Sequence, residues 1–217
     1  MTTIYLIRHG ETAYNEKGLL QGRTDIPLNA SGIALARLTG ESFKQLGIRF
    51  SKVYSSPLIR AMQTARTVLD FSGQPDLPIH VDKRLIEMCI GTWEGKSAYP
   101  GQSDIDPEQL DYFRDNPFLM APIEKGESAK DVCERTQDFL KEMAMHPVEG
   151  NILVSSHGFA VRAMLNQLYD DPSDFWQGSV PLNCSVNILN LTDGHWILAQ
   201  KDKLFYDESL AVDRYKT

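Results

Sequence analysis

Short apolar segments that alternate with helical patterns constrain the fold of this chain more than any other feature. The run Asn151–Ser155 is almost continuously apolar, which is typical of a central parallel strand covered on both faces. Apolar residues over Thr3–Ile7 predict a short buried strand, and Lys52–Ser55 predicts another. Because strands separated by helices usually pair in parallel, we predict an α/β fold in three layers, with a mostly parallel sheet flanked by helices on both faces.

Helix signals fill the intervals between these strands. Ser31 has the chemistry of an N-cap, and Ser56-Pro57 combines an N-cap with a proline at the first helical position. The predicted helices run from about Ser31 to Leu46, Ser56 to Leu69, Asp106-Pro107 onward, Glu127 to Met145 and Phe159 to Leu168. Near the C-terminus, Ser185–Leu191 and Trp196–Gln200 flank Asp193-Gly194, which predicts a hairpin at the edge of the sheet.

Composition excludes several classes of protein. The chain of 217 residues is 42% hydrophobic and carries a formal net charge of −7 without a basic stripe, which argues against nucleic acid as a partner. No apolar run approaches the length of a membrane span, and the first residues lack a signal-peptide pattern, so we expect no membrane association. Three cysteines without a CxxC pair are typical of reduced thiols, so we expect a cytoplasmic protein.

Four basic side chains follow three predicted strands directly. Arg8 and His9 follow the first strand, Arg60 lies in the first turn after the second, and His157 follows the Asn151–Ser155 strand. A parallel sheet gathers its carboxyl ends in one crevice, where open α/β sheets bind ligands. Each residue alone has an ordinary structural explanation, but four at equivalent positions favour a shared site. Two guanidinium and two imidazole groups beside helix N-termini suit a dianionic phosphate.

Five motifs carry a resemblance to a known family. They are "LIRHGETAYN", "LQGRTDIPLNASG", "VYSSPLIRAMQTA", "RLIEMCIGTWEG" and "SSHG", in this order over residues 4 to about 165. The chain resembles the histidine phosphatase superfamily, which includes the cofactor-dependent phosphoglycerate mutases, and within it the small phosphatases. The resemblance implies a single histidine phosphatase domain over residues 1–217. It also implies an enzyme that acts on a small phosphate ester.

The resemblance also implies roles for individual residues. His9 would be the nucleophile that takes the phosphoryl group, and Glu87 would be the proton donor. The cations that bind the phosphoryl oxygens would be Arg8, Arg60 and His157. The remaining substrate-binding positions would be Thr12, Asn15, Gln21 and Gly22.

Elementary chemistry supports these roles. A neutral imidazole is a competent nucleophile near pH 7, and a phosphohistidine replaces one difficult displacement with two easier ones. The charge on the phosphoryl oxygens needs fixed cations, which Arg8, Arg60 and a protonated His157 would supply. An alkoxide leaving group needs a proton, which Glu87 would provide before acting as base toward the attacking water.

Other motifs are weaker. The segment "GTWEGKS" at Gly91–Ser97 resembles a phosphate-binding P-loop, but it has three residues between its glycines instead of four. Several acidic residues cluster after it and are more typical of a solvated face: Asp104, Asp106, Glu108, Asp111 and Asp115. No histidine pair has metal-ligand spacing, so we predict a metal-independent protein without a cofactor.

Two other functions stay open beside a phosphomonoesterase. A mutase would use the same residues, but the segment Lys96–Gly126 is short and acidic, and the chain ends soon after its last predicted strand. We expect this segment to be an irregular or helical insertion over the active site. A catalytically dead member that binds a phosphorylated ligand or a protein would have lost a catalytic position, and none is lost here. Aromatic residues of or near the insertion form a candidate lid: Trp93, Tyr99, Tyr112, Phe113 and Phe118. The substrate is not predicted, and a homodimer is left open.

Overall fold

A six-stranded sheet forms the centre of the protein. The computed structural model describes residues 1–212. The strands are β1 (Thr2–Arg8), β2 (Phe50–Ser55), β3 (Ile79–Val81), β4 (Gly150–Ser156), β5 (Val186–Thr192) and β6 (His195–Lys203), in the spatial order β3-β2-β4-β1-β5-β6. Strands β1 to β4 are parallel, whereas β5 and β6 form an antiparallel hairpin at the edge. The predicted mostly parallel sheet and its edge hairpin are confirmed.

Helices cover both faces of this sheet. They are α1 (Ala13–Glu16), α2 (Ala30–Gln45), α3 (Ile59–Phe71), α4 (Pro107–Asp115), α5 (Ala129–Met145) and α6 (Gly158–Leu165). Ile4 and Leu6 of β1 pack with residues of α5 and α6, whereas Ile7 packs on the opposite face with residues of α2 and α3. This alternation along one strand produces the three-layer arrangement. None of the helices within residues 1–212 has the length and apolar character needed to cross a membrane.

Two predicted N-caps, Ser31 and Ser56, are wrong, for identifiable reasons. Helix α2 is capped by Asn29, whose side chain accepts a hydrogen bond from Gly32 N at 2.8 Å, so Ser31 lies inside the first turn. Helix α3 begins at Ile59 rather than at Pro57, and its first N–H is bound by the Asp25 carboxylate at 2.7 Å. A residue distant in sequence therefore caps α3.

The sequence predicted the remaining long helices better than it predicted the shortest elements. Helix α5 follows Ser128 in a capping box with Asp131, and α4 follows Asp106, as predicted. The predicted Phe159–Leu168 helix is α6 followed by one 3₁₀ turn at Asn166–Leu168. Strand β3 and helix α1 were missed because three and four residues are too short to show a periodic pattern.

Candidate active site

Neighbouring strands bring two histidines together. In the parallel pair of β1 and β4, Arg8 lies opposite Ser156, so His9 and His157 each follow the last residue of a strand. Their ring centroids are 5.1 Å apart. Arg60, in the first turn of α3, is close enough for its charge to act on both rings. Four basic side chains therefore lie together at the carboxyl ends of the parallel strands.

The ring of His9 is held in one orientation and in one tautomer. Its Nδ1 lies 2.7 Å from the carbonyl oxygen of Gly10. Because a carbonyl only accepts hydrogen bonds, Nδ1 carries the proton and Nε2 keeps its lone pair. The main chain of His9 is fixed as well, by Ser156 O at 2.9 Å and by the side-chain amide of Asn183 at 2.9 Å.

Electrostatics keep this ring neutral. His9 is 2% exposed, and burial lowers its pKa well below the ordinary value of 6.5, with further lowering by the charges of Arg60 and Arg8. The hydrogen bond to Gly10 acts in the opposite direction and is outweighed. At neutral pH the ring is therefore an imidazole with an available lone pair.

Arg60 is the most deeply buried cation of the site. Its two terminal nitrogens donate to the carbonyl oxygens of Thr24 (2.9 Å) and Gly22 (2.7 Å). Gly22 has a φ of +51°, and a Cβ there would lie 2.5 Å from the Ile90 side chain, so only glycine suits this turn. The Nε atom of Arg60 is buried without a hydrogen-bond partner in residues 1–212. Burial lowers the Arg60 pKa to about 10, and the guanidinium stays charged at neutral pH.

Arg8 is the second cation whose charge acts on the ring of His9. It is 5% exposed, and its Nη1 donates to the carbonyl oxygen of Pro181. Pro181 belongs to the loop that leads into β5, so this loop orients a cation of the site. The sequence signals did not indicate a role for the loop, because it contributes a backbone carbonyl and no recognised motif marks it.

His157 differs from the sequence expectation of a protonated ring. Its Nε2 lies 2.7 Å from the hydroxyl oxygen of Ser56, and its Nδ1 is buried without a partner in the described part of the chain. Burial lowers the His157 pKa well below 6.5, and the charges of Arg60, Arg135 and Arg8 lower it further. The ring is therefore neutral in this state. If the Ser56 hydroxyl donates to Nε2, Nδ1 remains as a donor for an anionic ligand.

Backbone groups hold the carboxylate of Glu87. Its Oε1 accepts hydrogen bonds from the N–H groups of Met88 (2.9 Å) and Ala160 (3.1 Å), and its Oε2 accepts one from Phe159 (3.2 Å). Two of these donors belong to the first turn of α6, where N–H groups lack intrahelical partners. The N-terminus of α6 therefore places a carboxyl group at the rim of the cationic site.

The predicted substrate-binding positions form a network around α1. Thr12 caps α1 in a capping box with Asn15, and its hydroxyl oxygen lies 3.0 Å from Oε1 of Gln21. Asn15 and Gln21 line the cavity described below, whereas Thr12 does not. Thr12 is therefore placed to orient its two neighbours.

A cavity of about 320 Å³ opens at these residues. It is lined by seven of the nine predicted site residues, namely Arg8, His9, Asn15, Gln21, Gly22, Arg60 and Glu87. Thr12 and His157 are not among the lining residues. Segment 96–126 contributes Ala98, Tyr99 and four residues of α4, so it forms a wall of the cavity. Of the candidate aromatic lid, Tyr99 and Phe113 reach the cavity, whereas Trp93, Tyr112 and Phe118 do not.

Sequence reasoning missed the far end of the cavity. Phe159 and Trp176 line it together with the loop Gly178–Val180. Phe159 stood in a predicted helix, but nothing in its spacing distinguished it from a core residue. Trp176 lies in an irregular stretch without a recognisable pattern.

Comparison with known proteins assigns the family. The sequence model described as "Histidine phosphatase superfamily (branch 1)" matches residues 4–202. The chain belongs to this superfamily. Histidine phosphatase superfamily members are enzymes of phosphoryl transfer, which agrees with the cationic cavity at His9.

Individual relatives and structures agree with this assignment. The 2,3-bisphosphoglycerate-dependent phosphoglycerate mutase of Methylobacterium sp. (strain 4-46) is 34% identical over 164 residues, 75% of this chain and 78% of that protein. YhfR of Bacillus stearothermophilus has a TM-score of 0.84 and 29% identity, with 100% of both chains covered. The phosphoserine phosphatase of Entamoeba histolytica in complex with 3-phosphoglyceric acid has a TM-score of 0.75 and 28% identity, covering 92% of this chain and 96% of that one.

Proposed function

We propose that this protein is a phosphomonoesterase that hydrolyses a small phosphate ester through a phosphohistidine on His9. The observation that carries the proposal is the state of the His9 ring. Its Nδ1 proton is bound to the Gly10 carbonyl, its pKa is lowered, and the charges of Arg60 and Arg8 act on it. A lone pair on a buried neutral imidazole, flanked by two guanidinium groups, is suited to attack a phosphoryl group.

The proposed reaction has two displacements. Nε2 of His9 attacks phosphorus, the ester P–O bond breaks, and the leaving oxygen takes a proton from the carboxyl group of Glu87. Arg8, Arg60 and the ring N–H of His157 would bind the phosphoryl oxygens. A water then attacks the phosphohistidine, Glu87 takes its proton, and the P–N bond breaks to release inorganic phosphate and neutral His9.

A mutase is the second candidate, and one observation favours it. The Methylobacterium relative is named a 2,3-bisphosphoglycerate-dependent phosphoglycerate mutase. A mutase would return the phosphoryl group to a second hydroxyl of a bound substrate instead of to water. The two functions differ in the acceptor, so phosphate release and isomerisation of 3-phosphoglycerate must be measured side by side, with and without 2,3-bisphosphoglycerate.

The proposal includes a cytoplasmic location and a reaction without a metal. Cys89, Cys133 and Cys184 are all unpaired, and burial raises the pKa of the Cys133 and Cys184 thiols to about 11 and about 12. Such protonated thiols suit a reducing compartment. Within residues 1–212 no group of three or more His, Cys, Asp or Glu side chains is arranged to hold a metal ion.

The substitution His9→Ala tests the function. We expect it to abolish turnover of every phosphate ester that the wild type hydrolyses, because no other neutral imidazole lines the cavity in the described residues. The wild type should form an acid-labile, base-stable phosphoenzyme, detected with a ³²P-labelled ester, and EDTA should leave its rate unchanged. His195→Ala is the matched control, since His195 is exposed on β6 and far from the cavity lining. Normal turnover by His9→Ala would exclude the mechanism.

A further inference from the structure

The cavity has two halves of different chemistry. The half at His9 is polar and cationic, as described above. The other half is lined mainly by apolar side chains, the largest of which are Met88, Ile90, Leu110, Phe113, Phe159 and Trp176. These residues come from α4, α6 and two loops, so the apolar half is built by the fold and not by one motif.

Three aromatic rings form a continuous wall in the apolar half. Phe113 and Phe159 are stacked, with centroids 5.8 Å apart and an interplanar angle of 18°. Trp176 meets both rings edge-on, at 6.0 Å from Phe113 and 5.4 Å from Phe159. The indole N–H of Trp176 donates to the carbonyl oxygen of Phe113 at 2.9 Å. Its only polar group is thereby used within the wall, which therefore presents an apolar surface to the cavity.

This wall begins beside the proposed acid. The backbone N–H of Phe159 binds Oε2 of Glu87 at 3.2 Å, and the Phe159 side chain belongs to the wall. In the proposed reaction the leaving oxygen receives its proton at Glu87. The carbon skeleton attached to that oxygen then extends along Phe159 toward Phe113 and Trp176.

Charges in this half are balanced. Besides Glu87, two charged side chains line this half of the cavity. They are Arg114 and Asp115 of α4, and their charges have opposite signs. A carboxylate on the leaving group would enter a half of the cavity that Asp115 lines as well as Arg114, and it would lose its hydration against an apolar wall. Burying an anion without a full set of partners is costly, whereas an uncharged ring or chain gains from leaving water.

We propose that the leaving group of the natural substrate is an uncharged, apolar alcohol, aromatic or with a hydrocarbon chain, that packs on the wall of Phe113, Phe159 and Trp176. This inference rests on the proposed phosphomonoesterase function. It separates this protein from an enzyme built for phosphoserine or phosphoglycerate, whose leaving groups are charged.

A series of alkyl phosphates measures the contribution of the wall. Ethyl, butyl and hexyl phosphate have leaving groups of similar basicity, so differences in kcat/KM report binding of the chain in the transition state. We expect kcat/KM to rise up to about fourfold for each added methylene group, the factor for complete burial of a CH₂ group. 2-Phenylethyl phosphate should exceed ethyl phosphate, and phosphoserine and 3-phosphoglycerate should be the poorest substrates.

The variant Phe113→Ala assigns this preference to the wall. We expect the ratio of kcat/KM for 2-phenylethyl phosphate over ethyl phosphate to fall about tenfold, because one face of the bound ring loses its contact. A ratio within one protein is unaffected by a lower fraction of folded enzyme. Phe118→Ala is the matched control, since Phe118 is 42% exposed and packs on Phe175 without lining the cavity. Its ratio should equal that of the wild type.

The outcomes separate this inference from the function on which it rests. A flat alkyl series, or faster His9-dependent hydrolysis of phosphoserine or 3-phosphoglycerate than of any apolar ester, overturns the inference and leaves the phosphomonoesterase function standing. An unchanged ratio in Phe113→Ala removes the wall as its cause. Absence of His9-dependent hydrolysis of every ester overturns the function, and the inference falls with it.

Discussion

Glu87 owes its position to backbone N–H groups rather than to another side chain. Met88, Phe159 and Ala160 together donate three hydrogen bonds to its two oxygens, and the Phe159 and Ala160 donors stand at the start of α6. Main-chain donors are rigid, so the carboxyl group has a defined direction before the substrate binds. A defined direction is what a proton donor in a transition state requires.

The substitution Glu87→Gln tests the proton transfer. An alkyl phosphate leaves as a basic alkoxide and needs a proton, whereas p-nitrophenolate leaves without one. In single-turnover experiments we expect a loss of about 10²–10⁴-fold for alkyl esters and a far smaller loss for p-nitrophenyl phosphate. Hydrolysis of the phosphohistidine would still lack its base, so p-nitrophenyl phosphate should give a burst of nitrophenol near one equivalent.

A control is needed because the amide of glutamine has only one accepting oxygen. At least one of the three N–H donors then loses its acceptor, at a cost of about 1–3 kcal/mol in the free energy of unfolding, which urea denaturation will show. Glu11→Gln is the matched variant, because Glu11 is buried near His9 but does not line the cavity. Equal losses for both ester types in Glu87→Gln, without a burst, would remove Glu87 from the acid role.

At the scale of elements, α6 connects the two halves of the cavity to the edge hairpin. Its Arg162 is fully buried and donates to the carbonyl oxygen of Ser179 (2.8 Å) and to the carboxylate of Asp202 (2.6 Å). Asp202 lies at a bulge of β6 with a φ of +49°, which turns its carboxylate toward α6. The loop that contains Ser179 continues to Pro181, which binds Arg8.

We expect Asp202→Asn to destabilise the fold by about 3 kcal/mol, because it leaves the buried guanidinium of Arg162 without a counter-charge. Asparagine tolerates a positive φ, so the bulge itself should persist. Urea denaturation measures the loss. Glu41→Gln is the control, since it breaks the exposed Arg37–Glu41 pair and should cost at most about 0.5 kcal/mol.

A double variant separates buried charge from altered packing. Arg162→Met combined with Asp202→Asn removes the charge that Asp202→Asn alone leaves unpaired. The double variant should therefore be at least as stable as Asp202→Asn. Additive losses from the two substitutions would show that the pair acts through shape and not through charge.

The elements that sequence reasoning identified correctly are those with local causes. The apolar run that became β4 and the capping box of α5 are contained in consecutive residues. The start of α3 was wrong because its acceptor, Asp25, is 34 residues away along the chain. Local signals do not report such a partner, since only the folded chain brings it to the helix end.

At the scale of the whole molecule, the candidate active site also has parts that local sequence signals predict and parts that only folding brings together. The positions of Arg8, His9 and His157 were predictable because they lie at the last residue of a strand or directly after it, and parallel strands end on the same side of the sheet. The aromatic wall was not predictable, since Phe113, Phe159 and Trp176 have no regular spacing and meet only in three dimensions. Topology therefore indicated where the basic side chains lie together, whereas the apolar half of the cavity needed the packed structure.

Two buried neutral histidines make the stability of the whole molecule dependent on pH. His9 and His157 have pKa values well below 6.5 when folded, chiefly because of burial, whereas the unfolded chain binds protons near pH 6.5. Above pH 6.5 both states carry neutral rings and the difference vanishes. Below it the unfolded state binds more protons, so the free energy of unfolding falls as pH falls, by up to about 1.4 kcal/mol per pH unit for each ring.

Urea denaturation at pH 7, 6 and 5 and constant ionic strength tests this expectation. Carboxylates with lowered pKa values, such as Asp82 and Glu127, act in the same direction but at lower pH, so the interval from 6.5 to 5 isolates the histidines. His157→Gln should lose about half of the slope in this interval, because one of the two proton-binding differences is gone. His195→Ala should keep the slope of the wild type, since His195 is exposed. If His157→Gln keeps the full slope, His157 is not the buried neutral ring described above.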